Sequence, residues 1–344
     1  MKALLRALHL QLPRLWLGHG PFARMLWPLS MLYRLLLGLH GALYALGLRR
    51  TDRVPALVVV VGNVVAGGAG KTPLTIALAH HLRQRGLAVG VVSRGYGRRS
   101  QQTCAVLPDS TADEVGDEPL LIQRATGVPV WVGRQRAAAA RALLQAHPQV
   151  RVILCDDGLQ HRALARDIEI CILDERGIGN GWLLPAGPLR EPWPRRVDLL
   201  LGCDAPAGMT PWSARRLLAD TAHDAQGRQV SLSTLAAAPV DALAGIARPE
   251  RFFGMLRERG LQVQDTLALP DHADFSQWPA RHTGRPLLCT EKDAVKLWPK
   301  QPDALAVGMA LLPEAGFFQA FDALLEQHGQ RLWPVSSPHG QQTA

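Results

Sequence analysis

The stretch VVAGGAGKT at residues 64–72 ends in a lysine and a threonine directly behind a glycine-rich turn. That order suits a triphosphate. Backbone N–H groups of Gly67, Gly68, Ala69 and Gly70 can wrap a β-phosphate, Lys71 can reach the β- and γ-phosphates, and the Thr72 hydroxyl can ligate Mg²⁺. The common phosphate-loop spacing puts a glycine at position 65, where this chain has Val65, followed by Ala66. Val65 is tolerated if its position needs no positive φ and the later glycines do the wrapping. Val65 through Thr72 are therefore read together as the ATP-binding stretch.

A magnesium triphosphate needs an acidic partner, and VILCDDG supplies one, with four apolar residues leading into Asp156 and Asp157. Carboxylates at a strand end are where such loops hold their metal, so Thr72, Asp156 and Asp157 form the candidate metal group. Gln160 and His161 follow, where strand C-termini meet ligands in open α/β sheets. Ser93, Arg94 and Tyr96 in SRGYG take the same edge behind another strand and are assigned to substrate or γ-phosphate contacts. In LREP, Arg190 can neutralise phosphate charge and Glu191 can join the metal, or the two form a surface ion pair. In TEKDAVKL, Glu291, Lys292 and Asp293 are polar enough to touch nucleotide or sugar, and a helix capped by Thr290 accounts for them equally well.

Positioning these groups requires strands that end where they lie. ALVVVVGN (56–63), LAVGVVSRG (87–95), VPVWVG (128–133), VRVILCDDG (150–158), DIEICILDE (167–175) and VDLLLGC (197–203) read as buried strands, with a helix from about Pro73 to Arg85 and another over 134–147. The alternation predicts a phosphate-loop α/β fold, a mostly parallel sheet with helices on both faces. The Pro, Gly, Ser and Asp of 204–228 suggest a boundary, after which 240–260 and 285–297 restart strand–helix units. The expected divisions are an N-terminal segment 1–50, a core 51–205, a smaller α/β domain 206–330 that completes the site, and a loose tail 331–344.

The chain has 344 residues and a net charge of +9, which resembles a nucleic-acid signal until it is located. Residues 1–50 hold seven basic residues and no acid, so the rest carries only +2. Nucleic acid is thereby disfavoured, and nothing marks an obligate protein partner. The basic segment is also rich in Leu, Trp, Met and Tyr, which fits an anionic membrane surface. Arg34 splits its apolar run, and Leu35–Leu48 is shorter than the roughly 20 residues that span a bilayer. A helix lying in the interface is expected, with a helix packed on the body as the other reading. The five cysteines form no C-x-x-C pair and read as small buried hydrophobes of a reduced protein.

Two known loop types do not match. The membrane-associated ATPases with K-G-G-x-G-K-[ST] place a lysine where this chain has Ala66, and a guanine-reading N-K-x-D fails because no Asp lies two residues after Lys292. The ordered blocks VVVVGNVVAGGAGKTP, VVSRGYG, GDEP (116–119), CDDGLQH, GNGWLLPAGPLREP, PDHADF (270–275) and TEKDAVKL together resemble the tetraacyldisaccharide 4′-kinase family of lipid A biosynthesis, from the N-terminal segment to about residue 330. The resemblance implies transfer of the γ-phosphate of ATP to the 4′-hydroxyl of a tetraacyl disaccharide 1-phosphate, giving lipid IVA. It also implies a monotopic enzyme at the cytoplasmic face of the bacterial inner membrane. It places a catalytic Asp at Asp117, with His272 pairing to orient it, and closure of the second domain completing the site. An ATPase driving a membrane partner, with no acceptor sugar, is the alternative of a different class.

Overall fold

The computed structural model describes residues 16–275, 278–279 and 283–332; Lys2, Arg6, Arg14 and the tail after Pro334 lie outside them. Helix α1 (Pro21–Ala45) precedes the first strand, β1 (Leu57–Gly62). The chain continues through α2 (Lys71–Gln84), β2 (Val89–Ser93), β3 (Cys104–Val106), α3 (Ala112–Val115), α4 (Asp117–Thr126) and β4 (Val130–Val132). It then adds α5 (Arg136–Ala146), β5 (Val152–Asp156), β6 (Ile168–Asp174) and β7 (Leu199–Cys203). Every strand anticipated here forms, a residue or two shorter at its ends.

Within this half the strands run parallel in the order β7-β6-β1-β5-β2-β4, and β3 adds an antiparallel edge. Strand β1 is central and wholly buried, which is why it is apolar at every position rather than alternating. Leu57, Val59 and Val61 face a cluster with Leu74, Leu78 and Leu82 of α2. Val58 and Val60 face the other side, with Ala140 and Leu143 of α5. Each such side chain contributes about 1.5–3 kcal/mol by leaving water. The parallel register brings the ends of β1 and β5 together, Val61 opposite Asp156, so the phosphate loop and the paired aspartates emerge side by side.

The second half holds β8 (Trp212–His223), β9 (Gln229–Ser231), α6 (Leu232–Leu235), β10 (Val240–Ala244), α7 (Pro249–Glu258), β11 (Val263–Ala268), β12 (Leu287–Thr290), α8 (Glu291–Leu297), β13 (Leu305–Pro313) and α9 (Ala315–Leu332). Residues 204–228, read above as a boundary, contain the longest strand. The Pro and Gly signals flank it, Ser213 and Asp220 lie within it, and much of it is polar because it faces water. Strand β8 pairs parallel with β7 at its start and antiparallel with β13 beyond, so one sheet runs through both halves. Helix α9 returns to the first half, where Phe317, Phe321 and Leu325 join the cluster of α2. The remaining second-half elements build their own clusters around Phe252 and Phe253, and around Phe275.

Among the described residues the cysteines are all free, and four of the five are buried. No described helix is long and apolar enough to cross a membrane. Helix α1 is nonetheless amphipathic in an unusual sense. Its buried side is small or polar (Ala23, Ser30), and its exposed side carries Met25, Trp27, Leu29, Leu32, Leu35, Leu36 and Leu39.

Candidate active site

The phosphate loop leaves β1 at Asn63, whose side-chain amide donates to the carbonyls of Val65 (2.6 Å) and Gly67 (3.3 Å). Val65 is buried and has no positive φ; it bridges Leu189, while the Ala66 N–H donates to the Pro188 carbonyl. The wrapping falls to Gly67 and Gly70, at φ +99° and +96°, where a side chain would cost about 1–2 kcal/mol. Arg176 fastens the loop from outside, donating to the carbonyls of Ala66 (2.9 Å) and Gly68 (3.5 Å) while the buried Asp174 holds it at 2.7 Å. With these carbonyls engaged, the N–H groups of Gly67, Gly68, Ala69 and Gly70 have no partner among the described residues. They form an anion cradle at the start of α2.

Lys71 lies 3.8 Å from Asp157. The Thr72 hydroxyl donates to Asp156 at 3.3 Å, and Thr75 donates to the other oxygen of Asp156 at 3.1 Å. The two aspartates differ in environment. Burial, with Glu118 and Asp157 nearby, pushes the Asp156 carboxyl well above the carboxylate range. Asp157 is also desolvated, but Lys71, Arg190 and Arg136 outweigh that and hold it below the ordinary value. Arg190 donates to Asp157 (2.9 Å) and to Gln160 (3.2 Å), and Gln160 in turn donates to the Asn63 carbonyl.

Behind this group Arg136 is buried. It donates to the Asp157 carbonyl at 3.1 Å, and its Nε has no partner among the described residues. His161 accepts from the Arg136 backbone N–H, and burial together with Arg136, Arg166 and Arg94 pushes its pKa down to about 4, leaving the ring neutral. Ser93 is buried at the end of β2, whereas Arg94 is exposed.

The opposite wall is made by residues far apart in the chain. Asp117 opens α4 from Gly116, whose φ is +94° and whose Cβ, if present, would lie 3.0 Å from the backbone of Gly95 and Tyr96. Asp117 is 4% exposed, and one of its oxygens faces His272 Nδ1 (3.0 Å) and Lys296 Nζ (3.2 Å). Burial would raise its pKa, but His272, Lys292 and Lys296 hold the carboxylate well below its usual range. The same hydrogen bond raises His272, against desolvation and the charge of Lys292. The Tyr96 ring lies 4.9 Å from the His272 ring. Glu118 stands between the two walls, bonded to Lys292 at 3.4 Å, lining the cleft with Lys71 and Thr72, and felt at Asp156.

Glu191 is not brought to this group. It is buried in an ion pair with Arg195, which also binds Glu169, and it lines a cavity beneath α1 with Arg34 and Leu37. The turn at Arg190, whose N–H donates to the Val64 carbonyl, sends neighbouring side chains apart, Arg190 toward Asp157 and Glu191 away. It is not a surface ion pair with Arg190 either. In TEKDAVKL, Thr290 caps α8 by accepting from the Asp293 N–H, and the Asp293 carboxylate accepts from Thr290 and from the Gly245 N–H. Sequence reasoning missed Glu118, Arg136, Asp174, Arg176 and Lys296. Glu118 could have been found as the second acid of GDEP; nothing local marks the others.

Helix α1 reaches the site through the 180–190 loop. Ser30 donates to the Leu183 carbonyl and accepts from the Ala186 N–H, and the Tyr33 hydroxyl donates to the Arg190 carbonyl at 3.0 Å.

Comparison with known proteins gives this geometry a context. The profile of the family described as tetraacyldisaccharide-1-P 4′-kinase matches residues 22–330. A tetraacyldisaccharide 4′-kinase of Acidovorax sp. (strain JS42) is 56% identical, the alignment covering 90% of this chain and 93% of that one. Its counterpart in Polaromonas naphthalenivorans (strain CJ2) is 53% identical, covering 95% and 97%. A crystal structure of an "apo" form of LpxK from Aquifex aeolicus in complex with ATP superimposes with a TM-score of 0.75 at 28% identity, over 89% of this chain and 99% of that one.

Proposed function

We propose, for a chain that belongs to the tetraacyldisaccharide-1-phosphate 4′-kinase family, that ATP lies with its triphosphate on the Gly67–Thr72 turn and its γ-phosphate toward Asp117 and His272. The chain is a kinase of lipid A biosynthesis and phosphorylates the 4′-hydroxyl of a tetraacyl disaccharide 1-phosphate. The observation that carries the proposed course is the pair of facing walls, free loop N–H groups with Lys71 on one side and the Asp117–His272 pair on the other. As the 4′-oxygen bonds to the γ-phosphorus, the bond to the β,γ-bridging oxygen breaks and ADP leaves. Loop N–H groups, Lys71 and Arg190 offset the charge on the phosphate oxygens.

The hydroxyl proton passes to the Asp117–His272 pair. Asp117 alone, held far below its ordinary pKa and closely surrounded by cations, is a weak base. With His272 neutral, the pair can take up a proton near neutral pH because Asp117 stabilises the resulting imidazolium. Tyr96 and the neutral His161 are assigned to the acceptor sugar, with Arg94 and Ser93 at the same edge.

Mg²⁺ fits the donors on the opposite wall. Thr72, Asp156 and Asp157 offer only hard oxygens, and the crowding that lifts Asp156 is what a divalent cation would relieve. When bound, the ion would neutralise charge on the β- and γ-phosphate oxygens. Glu191 has no part in this set.

The same reading divides the chain into a core of 51–205 and a unit of 206–330 that brings His272, Lys292 and Lys296 over it. It also seats α1 on the cytoplasmic face of the bacterial inner membrane, peripherally. Its exposed leucines and the absence of acids before residue 51 support that seat.

The kinase course is tested by incubating the full chain with [γ-³²P]ATP, Mg²⁺ and the tetraacyl disaccharide 1-phosphate. Label on the lipid that depends on the acceptor is expected; label only in free phosphate contradicts it and favours an ATPase without acceptor. Membrane seating is tested with the triple variant Leu35→Gln, Leu36→Gln, Leu39→Gln. At about 1.5–3 kcal/mol per inserted leucine, sedimentation with anionic vesicles should fall by more than about 100-fold. Unchanged sedimentation places the contact elsewhere.

A further inference from the structure

Glu291 is the acid of TEKDAVKL that the fold does not use. Thr290 and Asp293 are consumed in capping α8 and holding Gly245, and Lys292 pairs with Glu118 and Asp271. Glu291 makes no hydrogen bond or ion pair with any described residue. Its carboxylate lies over Gly308 of β13, 3.2 Å from where a Cβ would stand, with Ala219 of β8 at 3.4 Å from the same point. The absence of a side chain at 308 is what leaves room for it.

This position has a defined relation to the phosphate loop. Arg216 of β8 reaches to 3.8 Å from the Cβ position of Gly70. Ala219 is three residues further along the same strand. The cleft that holds Gly68, Gly70 and Lys71 is also lined by Arg216 and Arg248, by the apolar Ile246, Phe252, Met255 and Met309, and by Glu291. An anion cradle sharing one cleft with apolar side chains and with a carboxyl that bonds to no described residue matches a nucleotide, the apolar part serving the base.

We propose that Glu291 reads the base of the bound nucleotide, accepting a hydrogen bond from the exocyclic N6 amino group of adenine. The inference rests on the ATP site proposed above. Burial raises the Glu291 carboxyl, with only His223 opposing. A neutral carboxyl offers its O–H to adenine N1 beside the acceptor for N6, a two-point match, whereas a carboxylate would face the N1 lone pair with a second acceptor. Glutamine presents the same donor and acceptor.

The test is titration calorimetry of the full chain with Mg·ATP and with Mg·purine riboside 5′-triphosphate, which lacks the N6 amino group. Wild type should bind ATP on the order of tenfold more tightly. Glu291→Ala should bring the two affinities within about twofold by weakening ATP alone, and Glu291→Gln should retain most of the preference. Equal weakening of both nucleotides in Glu291→Ala, or a preserved preference, overturns the proposal by making the role merely structural. A wild-type ratio near one overturns it without any variant. If neither nucleotide binds wild type, the ATP site itself is refuted and this inference with it.

Discussion

The two walls of the cleft are built by different means. The phosphate wall comes from one βαβ neighbourhood. Its loop is nine residues of contiguous chain, and the aspartates arrive because β5 pairs with β1 in register. The acceptor wall is assembled from side chains 155 and 179 residues apart in sequence, His272 and Lys296 meeting on Asp117. Backbone N–H groups and a strand register are hard to misplace. A carboxylate held by cations from another part of the chain depends on where two halves of a sheet settle, so the acceptor wall should be the more sensitive to remote change.

The largest expected effect lies on the phosphate wall. Lys71→Ala should lower kcat on the order of 10³-fold in a chain with unaltered far-ultraviolet circular dichroism, because Lys71 is the cation that directly follows the loop N–H groups and lines the cleft with Gly68 and Gly70. A folded variant within tenfold of wild type would show that the loop N–H groups suffice alone. Next, Asp156→Asn should raise the Mg²⁺ concentration for half-maximal activity about tenfold or more. An unchanged Mg²⁺ titration removes Asp156 from the metal.

Acidity separates the walls in a different way. Below the raised pKa of His272 the Asp117–His272 pair is already proton-saturated, so kcat/KM should fall as pH drops through a value above 6.5. Asp117→Asn removes the raising partner and leaves burial and Lys292, so the acid limb of its residual profile should move to lower pH. A limb that stays in place would detach His272 from the proton transfer. The smallest effect belongs to Glu191→Gln, which should leave kcat and Mg²⁺ dependence within about twofold while lowering stability by about 1–3 kcal/mol, the expected cost of leaving Arg195 less well paired.

The same contrast governs how much was legible in the sequence. Strands β1, β2, β4, β5, β6 and β7 and the loop could be read because a parallel sheet buried on both faces writes itself as apolar runs, and the phosphate wall lies at their ends. Strand β8 could not, because its exposed face breaks the alternation and its flanks imitate a linker. Asp117 and His272 were reached through family resemblance and not from spacing, since no local pattern records a contact across 155 residues. Glu191 was misplaced for the opposite reason. Adjacency to Arg190 in sequence suggested shared purpose, and the turn between them sends the two side chains to different neighbours. Arg176 and Arg136 act on backbone carbonyls, which carry no sequence signal at all.

The central claim is that Asp117 and His272 work as one unit across the two halves of the sheet. A double-mutant cycle on kcat/KM, with acceptor-dependent ³²P transfer as the readout, addresses it directly. Asp117→Asn and His272→Asn should each lose about 10²–10⁴-fold, and the double variant should lose no more than the worse single variant. Losses that multiply in the double variant would mean two residues acting independently, and the account of this wall would be wrong.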